Sequence, residues 1–343
     1  MKSKIKSIIG IVPGLLIALS IAVVAKFLES LLPIHLIGAS VISLFIGMIV
    51  NSFWNPAFLK AGLKFTSKKV LKFAIILLGA SLSIGTVLTV GKMSLMVMFF
   101  TLLTCFGGGY IIGKMLKLNW KLSNLISAGT GICGGSAIAA IAPVIDAEDR
   151  DIAYAMSATF LFDMAMIVLF PFMGRWMGLS DMAYGLWAGT AVNDTSSVVA
   201  AGFAFSEAAG DFATMVKLTR TLSIIPVVVI FALINIHIKS KETVGTTETL
   251  RNKVNFWSLF PWFIVGFVVL AIINSFNIIP VAISSAAKEL SKFLMVAALA
   301  SIGLNTSFKE MRKSGIAPMV HGFIISALVV VVAISVEYFM GIV

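Results

Sequence analysis

Gly129-Thr130-Gly131-Ile132-Cys133-Gly134-Gly135-Ser136-Ala137-Ile138-Ala139-Ala140 is an apolar run broken by glycines and hydroxyls where a membrane helix would be smooth. A counterpart begins sixty residues later, Gly189-Thr190-Ala191-Val192-Asn193-Asp194-Thr195-Ser196-Ser197-Val198-Val199-Ala200. It keeps the Gly-Thr start, a Ser seven residues in and a β-branched/Ala finish, and the match continues at the same offset with Asp151 and Asp211, Ala153 and Ala213, Thr159 and Thr219. A glycine-rich segment followed by a helix is therefore duplicated.

The surroundings fix the class. Of 343 residues 59% are hydrophobic and 12% charged, too much apolar surface for one soluble core. The fold expected is an all-α polytopic membrane protein, an inverted-repeat transporter with about 9–11 transmembrane segments and two Gly-rich broken helices or re-entrant hairpins. The net charge of +11 sits in loops rather than on a basic face with interleaved aromatics, so nucleic acid is not an expected partner; the lipid bilayer is. Cys105 and Cys133 both lie in apolar segments, which supports neither a disulfide framework nor a metal site. No cofactor is expected.

Apolar windows of spanning length, about 20 residues, lie at 8–28, 36–54, 70–91, 94–113, 152–173, 212–236, 256–277, 289–307 and 316–340, with the two Gly-rich windows at 122–143 and 183–204. The apolar run that follows Met1 to Lys6 is too long for a signal peptide and reads as a retained first helix. Lys and Arg concentrate at Lys2–Lys6, Lys60–Lys72, Lys114–Lys121, Lys239–Lys253 and Lys309–Lys313, against Lys26, Lys92, Lys288 and Lys292 on the other side. The positive-inside rule then predicts a multi-pass cell (inner) membrane protein with a cytoplasmic N-terminus and an extracytoplasmic C-terminus. We expect one integral membrane domain over 1–343. Its core is expected at 72–236 plus 289–340, its scaffold at 8–54 and 256–277, and a cytoplasmic linker at 239–255. Trp54, Trp120, Trp176, Trp257 and Trp262 fit an aromatic belt, and His35 and His321 fall near window ends, where they read as interfacial.

A second internal match joins the segment from Lys72-Phe73 with that from Lys292-Phe293. An odd number of crossings separates them, as in inverted repeats. If both Gly-rich windows spanned the membrane, the duplicated units would point the same way. If both are re-entrant, every repeat is inverted, so two hairpins entering from opposite faces are the favoured arrangement.

Irregular backbone at membrane depth is tolerated only where it is buried in protein or lines a wet cavity, which makes an interrupted helix a binding-site candidate. A helix starting at mid-depth points N–H groups at the break and suits an anion. Gly134 and Gly135 permit close backbone approach; Thr130, Ser136, Thr190, Thr195 and Ser196 offer hydroxyls. Packing of small residues explains Gly129, Gly189 and Ala139 equally well, but not five consecutive polar residues from Asn193 through Asp194 to Ser197. Charges inside apolar windows are few: Asp163, Asp194, Lys217, Arg220 and, near the end, Glu337. Lys217 and Arg220 share a helix face, so Arg220 is a candidate oxyanion clamp and Lys217 a point charge or partner of Asp194; snorkelling is the competing reading for Lys217. Asp163 either neutralises Arg220 or titrates as a coupling group.

At these residues the chain resembles the family of conserved bacterial membrane proteins named, by inference, as sulfate exporters. The marks are Gly129 to Ile138, Gly189 to Ser196, Lys217-Leu218-Thr219-Arg220 and Ile302-Gly303-Leu304-Asn305-Thr306. The resemblance implies kinship with the cation/proton antiporter and anion transporter superfamily, hence inverted-repeat carriers, often homodimers, with an elevator-like motion of a core against a scaffold. Asn193 and Ser197 stand where the family often has His and Gln, so proton coupling through that His would have to pass to Asp194, Asp163 or another ion.

The leading expectation is a secondary active transporter, an exporter or exchanger, of a small anion such as sulfate or an organic sulfonate. Thr130, Gly134, Gly135, Ser136, Thr190, Asn193, Asp194, Thr195, Ser196, Lys217 and Arg220 are its substrate-binding candidates, and Asp163, Asp194 and Asn305 its coupling-ion (H⁺ or Na⁺) candidates. The alternatives are a cation antiporter using Asp163 and Asp194, or an intramembrane hydrolase. The hydrolase is disfavoured because no phosphate loop, nucleophile elbow or zinc-protease motif occurs, so an enzyme is not expected.

Overall fold

The computed structural model describes residues 2–31, 39–54, 56–242, 262–306 and 315–343. Among them every regular element is helical. Five stretches are long and apolar enough to cross a membrane: Gly10–Leu31, Ile84–Met115, Arg150–Trp176, Glu207–Asn235 and Ile316–Phe339. His35, Trp257, Lys309, Arg312, Lys313 and most of the expected linker lie outside the described residues.

The chain opens with α1 (Lys2–Leu31) and α2 (Ala39–Phe53). A continuous rod over 57–79 follows, built from a 3-10 turn, α3 (Lys60–Phe65), a π turn at Thr66–Val70 and α4 (Leu71–Gly79). The next rod joins α5 (Ile84–Leu103), a π turn at Thr104–Gly108 and α6 (Gly109–Met115). The break between these rods falls at residues 80–83, not at the expected gap near 92–93. Ser83 decides it: its Oγ accepts from Thr86 N at 3.1 Å and caps α5. A hydropathy window sees only an unbroken apolar run there.

Each Gly-rich window is a hairpin of two half-helices. The first comprises α7 (Trp120–Ala128), a π turn at Gly129–Cys133 and α8 (Gly135–Ile141). Its two ends return to one level: Lys121 Nζ donates to Asp146 O at 2.7 Å and Asn119 Nδ2 to the Asp151 carboxylate at 3.1 and 3.2 Å. The long α9 (Asp149–Trp176) then crosses to the other end of the molecule, about 42 Å at 1.5 Å per residue. There the second hairpin, α10 (Asp181–Ala191) and α11 (Thr195–Phe205), starts and returns. Ser206 Oγ donates to Asp181 Oδ1 at 2.6 Å, Tyr184 Oη to Ala201 O at 2.9 Å, and the Tyr184 and Phe205 rings stack 3.9 Å apart. The hairpins therefore enter from opposite ends of α9.

The rod formed by α12 (Glu207–Leu222) and α13 (Ile224–Glu242) follows, then α14 (Trp262–Ser275), α15 (Val281–Asn305) and α16 (Ile316–Phe339). α15 packs chiefly on α2 and also on α1 and α4, while α14 lies on α4. Glycines allow the closest of these crossings: Gly303 lies against the backbone of Leu44 and Met48, and a Cβ added at Gly14 would stand 2.6 Å from Leu63 N. The hairpins, α5, α9, α12 and α16 form a second cluster. His321 is not interfacial as its place near a window end suggests. It is fully buried, with Nε2 3.0 Å from Gly109 O and 3.1 Å from Ser123 Oγ. Gly113 opposite it keeps the wall low: a Cβ there would stand 3.2 Å from that nitrogen.

Candidate functional site

The hairpin tips meet. Gly134 turns the first hairpin at φ 64°, ψ −135°, a conformation that favours glycine. A Cβ added there would stand 2.9 Å from both Cβ and Oδ1 of Asp194, at the tip of the second hairpin. These two residues are equivalent under the sixty-residue offset.

Around this contact the polar side chains bind the broken backbone. α10 stops at Val192, and Asp194 caps α11 by accepting from Ser196 N at 2.9 Å, with the Ser196 hydroxyl on the same oxygen. This local structure follows from an Asn-Asp-Thr-Ser-Ser sequence, in which Asp at the N-cap satisfies an orphan amide. The Asp163 carboxylate, from the middle of α9, accepts from Asn193 N at 2.9 Å and Asp194 N at 3.0 Å. On the opposite side, Lys217 Nζ donates to Val192 O at 2.9 Å. Arg220 donates from Nε to Gly131 O at 2.7 Å, from Nη1 to Val192 O at 3.4 Å, and from Nη2 to Thr130 O.

Carboxylates thus sit at helix starts and cations at helix ends, the arrangement that the peptide dipoles favour. Lys217 and Arg220 are wholly buried, yet among the described residues neither has a carboxylate within 4 Å. Their desolvation is offset by carbonyls with no intrahelical partner and by two nearby acids of opposite charge. The pairing of Lys217 with Asp194 weighed from sequence is therefore mediated by the tip backbone rather than made directly. At the start of α11 the Ser196 amide is already held by Asp194, and the two amides before the helix, of Asn193 and Asp194, are held by Asp163.

In front of the tips lies a cavity of about 920 Å³. Of the residues expected at a site, it is lined by Gly135, Ser136, Asp163, Asp194, Thr195, Ser196 and Asn305. Thr130, Gly134, Thr190, Asn193, Lys217 and Arg220 stand behind this lining. Thr190 Oγ1 turns back to Leu186 O at 2.7 Å, and Asn193 Nδ2 reaches Ser326 Oγ at 3.4 Å while its buried Oδ1 has no partner among the described residues. Glu337 is also away from the cavity, buried in α16 with both carboxylate oxygens unpartnered among the described residues.

Of the opposite wall the sequence pointed only to the end of α15, through Asn305 and the motif around it. That wall comprises Ser67, Lys68 and Lys72 of the 57–79 rod, Phe263 of α14 and Thr306 after α15. Lys72 Nζ lies 5.4 Å from the Phe263 ring centroid. Ser67 and Lys68 belong to the π turn, a local widening frequent at functional sites and without a sequence signature.

The cavity is one-sided. It runs along α9 from Ala153 to Asp163, about 15 Å of helix rise. Beyond Asp163, Met164 and Ile167 pack into an apolar cluster with Val41, Leu44 and Met48 of α2, Ala200 and Ala204 of α11, and Leu299 of α15. At that sealed end two ion pairs tie α15 to α12: Lys288 to Asp211 and Lys292 to Glu207, each 2.7 Å.

The profile of a family described as Conserved hypothetical protein 698 matches residues 13–322. A UPF0324 membrane protein of Clostridium tetani is 58% identical over 334 residues, covering 96% of this chain and 97% of that protein. UPF0324 membrane proteins of Streptococcus mutans and Streptococcus pneumoniae are 37% and 38% identical, over 96% of this chain.

Proposed function

Starting from the fact that this chain belongs to the Conserved hypothetical protein 698 (UPF0324) family of membrane proteins, we propose that it is a secondary transporter that moves a small anion by alternating access. This family is consistent with the resemblance carried by the Gly129 and Gly189 motifs. The carrying observation is the one-sided cavity, which ends at mid-depth where two opposed hairpin tips touch. A carrier needs a site reachable from one face while the other is sealed, and broken helices at that site supply polar backbone in an otherwise apolar layer.

In an elevator-type cycle the hairpins, α5, α9, α12 and α16 would move against α1, α2, α14 and α15. In this reading α4 and α15, which pack on α14 and α2, move with the scaffold, although they fall within the core expected at 72–236 plus 289–340. With the lysine-rich segments placed in the cytoplasm, the cavity mouth opens inward and the Lys288–Asp211 end faces out. The function needs no catalytic group, and a homodimer in the cell membrane is the assembly the reading favours.

Purified protein in liposomes loaded with unlabelled sulfate should exchange it for labelled external sulfate or an alkyl sulfonate without an added energy source. Absence of exchange with every anion, together with collapse of an imposed pH or Na⁺ gradient, would instead support cation antiport. That second reading has its own observation, since Asp163 and Asp194 are the two acids on the cavity floor.

A further inference from the structure

The charge surplus of the cavity lies on the wall opposite the hairpins. Counted as ionised, Asp163, Asp194, Lys217 and Arg220 sum to zero, and each is bonded to the tip backbone. The remaining charged groups that line the cavity are Lys68 and Lys72, one helical turn apart. Among the described residues neither has a carboxylate partner. The cavity with its backing charges thus carries a formal +2, held on two solvent-accessible lysines of its wall.

The second half of the fold shows what such a lysine pair does. Lys68, Lys72 and Phe73 match Lys288, Lys292 and Phe293 at one offset. The two segments run antiparallel in contact, with Ser291 Oγ donating to Ala74 O at 2.6 Å and Ser284 Oγ to Ala80 O at 2.9 Å. Lys288 and Lys292 hold the carboxylates of Asp211 and Glu207. The acid equivalent to Asp211 is Asp151, which is buried and bonded to Asn119, leaving Lys68 and Lys72 without the anionic oxygens their counterparts have.

We propose that Lys68 and Lys72 are the charge-selecting residues of the cavity, and that the favoured ligand is a doubly negative oxyanion, with the Ser136 hydroxyl as a further donor. This assignment rests on the anion-transport reading and moves charge recognition from Lys217 and Arg220 to the other wall. Lys217 and Arg220 keep a structural part, holding the two tips together.

The test is equilibrium binding of radiolabelled sulfate to the purified full chain at fixed ionic strength, with methanesulfonate and chloride as competitors. Wild type should bind sulfate in preference to the monoanions. Lys68→Gln with Lys72→Gln should weaken sulfate binding at least about tenfold and erase the preference, since both charge contacts to the ligand are lost at once. Lys60→Gln with Lys64→Gln, two exposed lysines of the same rod outside the lining, should bind as wild type does and controls for net charge. Sulfate affinity of the double variant within twofold of wild type overturns the proposal and leaves anion transport standing. A wild type that binds none of the three anions overturns both.

Discussion

The contact between the hairpin tips makes an unusually local prediction, because two adjacent glycines should respond in opposite directions. Gly134 has φ 64° and ψ −135°, so an alanine there costs about 1–3 kcal/mol in backbone strain. Its methyl would also stand 2.9 Å from Asp194 Cβ and Oδ1. Asp194 has little room to retreat, being held by its own bonds to Ser196 and by Asp163 on its amide, so overpacking adds about 1–3 kcal/mol. Gly135 is the first residue of α8 and an added Cβ meets nothing within 4 Å; alanine there gains about 0.5–1 kcal/mol of helix propensity. Gly134→Ala and Gly135→Ala should then differ by about 2.5–7 kcal/mol, a separation of at least about 5 °C at roughly 2 °C per kcal/mol. The assay is thermal denaturation in detergent at one scan rate, read by size-exclusion chromatography after heating; because membrane proteins unfold irreversibly, the ranking rather than a free energy is read. Equal melting of the two variants, or a Gly134→Ala protein more stable than wild type, would refute the touching tips.

Three other outcomes follow from the same geometry. Arg220→Ala removes the donors on Thr130, Gly131 and Val192 carbonyls and unbalances the buried charges, a loss of about 3–5 kcal/mol; the protein should fail to give a monodisperse peak, and a well-folded variant with wild-type melting would show that those bonds are dispensable. In a background lacking Cys105 and Cys133, cysteines at Glu148 and Met177 should react with impermeant reagents from opposite sides of the membrane, as ends of one crossing helix, while a cysteine at Lys117 should share the side of Glu148; reaction of all three from one side would sink the opposed hairpins. Asp211→Asn breaks the ion pair to Lys288 at the sealed end, a change on the order of 1 kcal/mol for a partly exposed pair, so a cysteine at Ala204 should label several-fold faster than in the parent; an unchanged rate would mean that the seal does not depend on it.

How much of this was legible in the sequence depended on whether side chains or backbone did the work. The hairpins could be anticipated because Asn193, Asp194 and Ser196 form a helix-start signal inside an apolar run and because a turn at Gly134 needs glycine. Asp163, Lys217 and Arg220 stood out as charges in apolar windows, but their partners are the carbonyls of Thr130, Gly131 and Val192 and the amides of Asn193 and Asp194. Every residue has those groups, so no pattern of letters points to them. Lys68 and Lys72 were counted as loop charges because a lysine-rich segment at the end of an apolar run reads as a topological signal. The π turn that bears Lys68 depends on tertiary packing and leaves no composition to detect.

The two halves of the molecule are equivalent in packing but not in chain order, which bears directly on how the cavity could change sides. Each hairpin is followed by the long helix it packs against, α9 for the first and α12 for the second. α5 lies on α12 and α16 on α9; α14 lies on α4 and α2 on α15. In the first half the pair α4 and α5 precedes its hairpin, whereas in the second half α15 and α16 come after. A conformer with the two ends exchanged would retain the helical hydrogen bonds and trade one apolar seal for another, and so should lie within a few kcal/mol of this one. The ends differ in the state of their lysine pairs: Lys288 and Lys292 hold carboxylates of the protein, and Lys68 and Lys72 do not. On the anion-transport reading, that imbalance would favour closure where the pairs are satisfied and leave the open end as the place where an anion gains most by binding.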